Sequence, residues 1–252
     1  MFRFVPFVVL STALYLAFAV PTFAVGALPA TAANIFLVAA VMALGSVFLV
    51  LGGMDTGSAF GNMGSSREMT LVALIEPALF ITLSGMAALA GAFSLDGIIA
   101  AFSADPWLHP TATIMLALAL ALIVLLENAR YPVDNPTTHL ELTMVHEAML
   151  LEYSGPYLAM LEYASALKLT AVSLLCMNML VPYMFAVPGA GAVALTLASL
   201  ALVGKLVVAA FGIAFLESTV VKMRFYRMQE YATLAYLVAV AGLVAALLTL
   251  YR

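Results

Sequence analysis

Seven apolar runs, at 4–25, 34–52, 69–91, 111–126, 167–187, 191–216 and 231–250, decide most of what this chain can become. Each is close to the ~20 residues that a helix needs to cross the hydrocarbon of a bilayer. Lipid offers no hydrogen-bond partner to a bare N–H or C=O, so a segment at that depth must satisfy its own backbone. Nothing in these runs alternates apolar with polar residues as a barrel strand does. The expected fold is therefore all-α, a polytopic transmembrane helix bundle with seven spans. Only 9% of the residues are charged, where soluble domains carry roughly a quarter, and this excludes a water-soluble fold.

No internal repeat, linker or low-complexity tract divides the sequence, so residues 1–252 read as a single integral membrane domain. The missing repeat also counts against a secondary transporter. With Arg3 as its basic n-region and no small-residue cleavage site set apart, the start reads as a retained membrane helix rather than a signal peptide. Cys176 is the one cysteine and sits in an apolar run. Disulfides, paired-cysteine zinc sites and cysteine-ligated clusters within the chain are excluded, so a redox centre has to belong to another subunit.

Orientation follows from the cations. Arg3, Arg67, Arg130, Lys168, Lys222, Arg224 and Arg227 fall at or beside the N-terminus and the second, fourth and sixth loops, which share one side; the other side has Arg252. The positive-inside rule makes the first side, with the N-terminus, cytoplasmic. The opposite loops are short, with Asp96, Asp105 and His109 in the longest.

The stretch "GGMDTGSAFGNMGSSRE" (52–68) contains Asp55-Thr56-Gly57-Ser58, which matches a short aspartic-protease signature. That chemistry needs two carboxylates sharing a proton, and the chain has one such motif. A flexible, Gly-rich cytoplasmic loop that folds against another subunit or lines a cavity is the expectation.

Two ionisable residues stand inside apolar runs. Glu76 is followed by Pro77, which removes a helix hydrogen bond and bends the helix. Such a group costs about 2.5–3.5 kcal/mol to insert and so tends to face a cavity, a partner or a proton path. Lys205 in "ALVGKLVVAAFG" is near the middle of its run, out of easy reach of the interface, and reads as a relay element or half of a buried ion pair. Both argue against a plain membrane anchor. Glu217 ends the same run, where an exposed helix-end acid serves equally well.

Between Glu127 and Lys168 the chain carries Glu127, Asp134, Glu141, Glu147, Glu152 and Glu162 against Arg130 and Lys168. Charge runs are usually solvated faces, but these acids are spaced among apolar residues, the pattern of a half-buried helix lining something wet. "RYPVDNP" is extended or turned, because each proline restricts the residue before it. Thr138 with Glu141 three later forms a capping box for the next helix. His139 and His146, seven apart, could be imagined with Glu147 as metal ligands, but they match no strong zinc spacing. His146 beside Glu147 suits proton handling better, since histidine titrates near neutral pH.

These residues resemble the complex I subunit 1 family, the membrane subunit shared by respiratory complex I and the membrane-bound NiFe-hydrogenases. The pattern Glu-x-x-Arg-x-Pro-x-Asp falls on Glu127, Arg130, Pro132 and Asp134, with a glutamate seven further on at Glu141. An arginine followed nine residues later by an intramembrane glutamate is matched by Arg67 and Glu76. "EYSG" at 152–155 and "EY" at 162–163 add to the likeness. Quinone-reducing members carry extra acids where this chain has Thr137 and His139. "PVDNPTTHLELTMVHEAMLLEYSG" is similar instead to the hydrogenase branch, of formate hydrogenlyase and hydrogenase-4 type. The family usually has eight helices, and this chain opens at what corresponds to the second.

The resemblance implies a non-catalytic, membrane-anchoring, ion-coupling subunit of an oxidoreductase complex in the cell inner (cytoplasmic) membrane. Region 127–166 would be an acidic cytoplasmic loop docking a peripheral arm, made of an iron–sulfur small subunit and a NiFe large subunit, with antiporter-like membrane subunits alongside. The chain itself would hold no cofactor and no metal and would bind no nucleic acid. The implied ion path runs through Glu76, Glu127, Asp134, Glu141, Glu147, Glu152, Glu162, Lys205 and Glu217. Arg67, Arg130, His139 and His146 would pair charges or form the interface. The alternative is a quinone-binding subunit of a complex I-type NADH dehydrogenase.

Overall fold

The computed structural model describes residues 1–26, 29–105, 109–130, 145–187, 189–219 and 225–251. Among these residues there are no strands, and the helices run in the order α1 (Val5–Ala19), α2 (Ile35–Asp55), α3 (Ala59–Ala90), α4 (Leu95–Ala104), α5 (Pro110–Glu127), α6 (His146–Leu150), α7 (Pro156–Leu180), α8 (Ala192–Thr219) and α9 (Phe225–Leu250). Side-chain caps and prolines fix their starts. Asn34 accepts the Phe36 N–H at 2.9 Å, Ser58 the Gly61 N–H at 3.1 Å and Ser94 the Gly97 N–H at 3.2 Å, each satisfying an otherwise orphaned donor. Prolines open α1, α5 and α7, where a missing N–H costs nothing.

Among the described residues six helices, α2, α3, α5, α7, α8 and α9, are long and apolar enough to cross a membrane. The chain is a polytopic helical membrane protein. The run expected to span at 4–25 is the 15-residue α1, only about 22 Å long at 1.5 Å per residue. It stops at Ala19, two residues before Pro21.

Three other expectations change. The stretch 52–68 is not a Gly-rich loop: α2 continues to Asp55, the chain turns at Thr56, Gly57 and Ser58, and α3 begins at Ala59. Gly57 makes the turn with φ +66°, and the helical glycines serve close packing: a Cβ on Gly64 would lie 2.9 Å from the Ala148 Cβ of α6 and from the Val145 carbonyl oxygen. The second correction concerns α7, which begins at Pro156, so residues 156–166 are helical turns rather than loop, and Lys168 is deep in a helix instead of beside its end. Thirdly, α4 fills what reads as a plain loop after the third run, with Leu95, Ile98, Ile99 and Phe102 buried. The helix also continues through Pro77, which stands inside α3.

α3 is the hub, packing on α2, α5, α6 and α9, while α1 packs on α2 and α7. One close junction is a socket for Leu116 of α5. A Cβ built on Gly85 of α3 or on Gly242 of α9 would lie 2.8 Å from a Leu116 methyl. Without a hydrophobic drive between helices in lipid, such close approach at small residues supplies the packing energy. α8 is the outlier, packed mainly on α7.

At one end of the bundle the connections are stitched by backbone bonds. The Ile35 N–H donates to the Phe93 carbonyl and the Leu95 N–H to the Ala33 carbonyl, at 3.0 and 2.9 Å; Val25 and Ala186 pair similarly. Asp96 accepts the Gly26 N–H at 3.0 Å. Burial pushes the Asp96 carboxyl up, and that N–H opposes the shift.

Gly85→Val and Gly242→Val should each destabilise the bundle by about 1–3 kcal/mol through overpacking. Gly204→Val, where an added Cβ meets nothing within 4 Å, should be neutral. Thermal unfolding in detergent ranks the three.

Candidate functional site

A cavity of about 120 Å³ lies at the end of the bundle opposite the stitched connections. Its membrane-ward wall is apolar, from Val9, Leu16, Met42 and Leu49 of α1 and α2; its outer wall is charged, from Glu68, Glu127, Arg130, His146, Glu147 and Lys168. The topology makes this wall. α5 delivers Glu127 as its last residue, α3 presents Glu68, the short α6 begins at His146, and α7 carries Lys168 past them.

The Lys168 ammonium bonds the Glu127 carboxylate at 2.7 Å, the length of a charge-assisted hydrogen bond. The Glu127 side chain is 4% exposed and that of Lys168 27%. Glu68 and Glu76 also lie within electrostatic reach of Lys168, and Glu76 within reach of Glu127. Glu76 Oε1 is buried with no hydrogen-bond partner among the described residues. The Lys168 ammonium thus stands in the field of three carboxylates, those of Glu127, Glu68 and Glu76. A carboxylate that Lys168 leaves must take a proton or another cation, because an uncompensated buried charge is costly.

A second pair closes the same end. Arg130, just past α5, meets Glu217 near the end of α8 at 3.5 Å, with both side chains about 30% exposed (30% and 28%). Arg67 is half-buried next to Glu68 on α3. Glu152 and Glu162 are exposed and do not line the cavity. Asp134, His139 and Glu141, with the capping box at Thr138, lie outside the described residues.

Lys205 faces elsewhere. It is buried on α8, its ammonium donates to Asn178 Oδ1 at 3.1 Å and rests 4.0 Å from the centre of the Phe185 ring. Asn178 in turn donates to the Pro21 carbonyl at 2.7 Å. These partners lie toward the stitched end, so the structure does not bring Lys205 to the acid cluster.

Sequence reasoning missed Lys168 and Glu68 as site residues. Lys168 was legible as the one cation in the run from Leu161 to Leu180, but a polar stretch ahead of it disguised the helix. Among the described residues no group of three or more histidine, cysteine or acidic side chains could hold a metal ion. Near the turn between α2 and α3, Asp55 accepts the Phe2 N–H at 2.7 Å, which gives its protease-like motif a packing role. Tyr153 stacks on Phe2 with ring centres 4.0 Å apart. Burial, and then the charge of Asp55, push the Tyr153 hydroxyl up to about 12.

An all-helical bundle enclosing an acid–lysine cluster at one end defines a multi-pass membrane protein with polar groups set into its interior. The family model for NADH dehydrogenase matches residues 1–249, and the chain belongs to that family. Hydrogenase-4 component C of Escherichia coli (strain K12) is 33% identical over 183 residues, 73% of this chain and 57% of that protein. The chain thus spans little more than half the length of that relative. Formate hydrogenlyase subunit 4 of the same organism is 28% identical over 223 residues, 88% of this chain and 71% of that protein. Both names mark parts of larger assemblies. A solved chain of the membrane-bound sulfane sulfur reductase, an archaeal respiratory membrane complex, shares the fold with a TM-score of 0.74 at 17% identity, over 95% of this chain and 78% of that one.

Lys168→Met should destabilise the protein by about 3 kcal/mol, since it strands Glu127 in a buried position. Adding Glu127→Gln to Lys168→Met should restore most of that loss. A double-mutant cycle on unfolding in detergent measures the coupling.

Proposed function

We propose that this chain is the membrane-anchoring, ion-coupling subunit of a membrane-bound NiFe-hydrogenase complex of the formate hydrogenlyase or hydrogenase-4 type. The observation that carries the reading is the Lys168–Glu127 pair with Glu68 and Glu76 around it, set against a small cavity. The names of the curated relatives support the same class. The acid-rich end is the cytoplasmic one by the positive-inside rule, the N-terminus lies on that side, and the membrane is the inner (cytoplasmic) one. Region 127–166 docks a peripheral arm whose iron–sulfur small subunit and NiFe large subunit hold the redox centres, and antiporter-like subunits adjoin the bundle.

In this reading the chain transfers no electrons. A change of charge at the docked arm alters which carboxylate Lys168 neutralises, and the carboxylate released takes up a proton. Glu76 and Glu127 are the inner steps. Glu147 with His146 provides the entrance, together with Asp134, Glu141, Glu152 and Glu162, while Arg67, Arg130 and His139 pair charges at the interface. Arg130 holds Glu217 at the rim. Lys205 would act further along the path, on the far side of α7.

The quinone-binding reading is less well supported. The cavity, at about 120 Å³, has room for several waters but lies below the ~300 Å³ at which small-molecule pockets begin.

Two measurements test the proposal. Affinity purification through this chain should bring down a NiFe large subunit, and the complex should evolve H2 without quinone-dependent turnover; the reverse pattern favours the alternative. In inverted membrane vesicles, Glu76→Gln and Lys205→Met, made separately, should leave assembly intact and lower ion translocation at least several-fold. Normal translocation in both would remove the relay.

A further inference from the structure

Among the described residues Lys205 has no carboxylate partner. It stands at the middle of α8, 8% exposed, and the segments around it, 20–26, 169–187 and 192–216, hold no other charged residue. Cys176 and Tyr183 are the other titratable side chains there. What the ammonium meets is the Asn178 Oδ1, at 3.1 Å, and the Phe185 ring, 4.0 Å from its centre. A lysine kept permanently charged in such a place is ordinarily paired with an acid, because a buried charge without an opposite one is costly.

Asn178 is fully buried, and both ends of its amide are engaged. α1 stops at Ala19, so the buried Pro21 holds its carbonyl oxygen outside any helix, where it needs a donor. The Asn178 Nδ2 donates to it at 2.7 Å. A carbonyl oxygen only accepts, which fixes the orientation of the amide and leaves Oδ1 for Lys205. An ammonium and a neutral amine both carry N–H donors, so this bond serves either state of the lysine. A carboxylate in the same place would hold the proton on Lys205 by its charge. The Phe185 ring, by contrast, favours the charged state alone.

We propose that Asn178 is the positioning residue for Lys205: clamped by the Pro21 carbonyl, its amide oxygen keeps the lysine in place while the amine gains and loses a proton. The step is a proton transfer, in which Nζ passes from three hydrogens to two and back. The ion path of the proposed function delivers the proton and removes it, and the inference rests on that path.

The test uses the native complex in inverted membrane vesicles and follows ion translocation per H2 evolved across the neutral and alkaline range. Asn178→Asp sets a carboxylate against the ammonium, which raises the pH at which Lys205 releases its proton. The pH optimum should therefore move up by about one unit, and translocation at neutral pH should fall about tenfold. Asn178→Leu removes the positioning bond and should lower translocation several-fold at every pH, with Asn178→Ala as the smaller replacement if the leucine variant does not assemble. Lys205→Arg keeps a donor for Asn178 and a cation over the ring but never releases its proton; the complex should assemble and translocate as poorly as with Lys205→Met. In a Lys205→Met background, Asn178→Asp should add no further loss and no displacement of the optimum. Normal translocation in Lys205→Met alone would remove the path and this inference with it. Lowered translocation in Lys205→Met, together with normal translocation in Lys205→Arg or an unmoved optimum in Asn178→Asp, would overturn the positioning role and leave the path standing.

Discussion

In hydrocarbon a charge can be kept only where something nearby answers it, and the Lys168–Glu127 contact is that answer for this bundle. Glu127 is almost wholly buried at the very end of α5, so without the ammonium the helix would terminate in an unpaired carboxylate. The lysine in turn can reach it only because α7 starts as early as Pro156 and carries residue 168 alongside α5. The pair brings α5 and α7 together at the charged wall of the cavity, which both residues line. Glu68, Glu76 and Glu127 all lie within electrostatic reach of this ammonium.

The apolar runs made the number and sequence positions of most helices readable, because crossing length and backbone self-sufficiency are properties of local sequence. Helix ends were harder. The stretch "PYLAMLEYASAL" is too polar on average to read as a span, yet Leu161 and Ala164 turn inward while Glu162, Tyr163 and Ser165 turn outward. An average over a window blends the two faces. The same blending hid Lys168 from the site. The Gly-rich stretch at 52–68 was misread for a related reason: glycine suits both a flexible loop and a close helix crossing, and only the position of α6 against Gly64 distinguishes them.

Within the site, Glu76, Glu127, Arg130, His146, Glu147 and Glu217 were legible because ionisable groups in an oily chain are rare enough to stand out. Their grouping was not, since it depends on which helix faces which. Lys205 illustrates the difference. Its depth is evident from sequence, but its partners, Asn178 and the Phe185 ring, come from another helix and a connection. An amide that also donates to the Pro21 carbonyl gives no signal in a run of apolar residues.

The backbone bonds joining residues near Ala33, Phe93 and Leu95, and those joining Phe23, Val25 and Ala186, all lie at one end of the molecule. They act like the clamped root of a tuning fork. At the other end the outlying α8 is tied to α5 by an ion pair whose side chains are 30% and 28% exposed. Glu127, Lys168 and Glu217, on α5, α7 and α8, stand at that end, where the contacts between these helices are side-chain ion pairs.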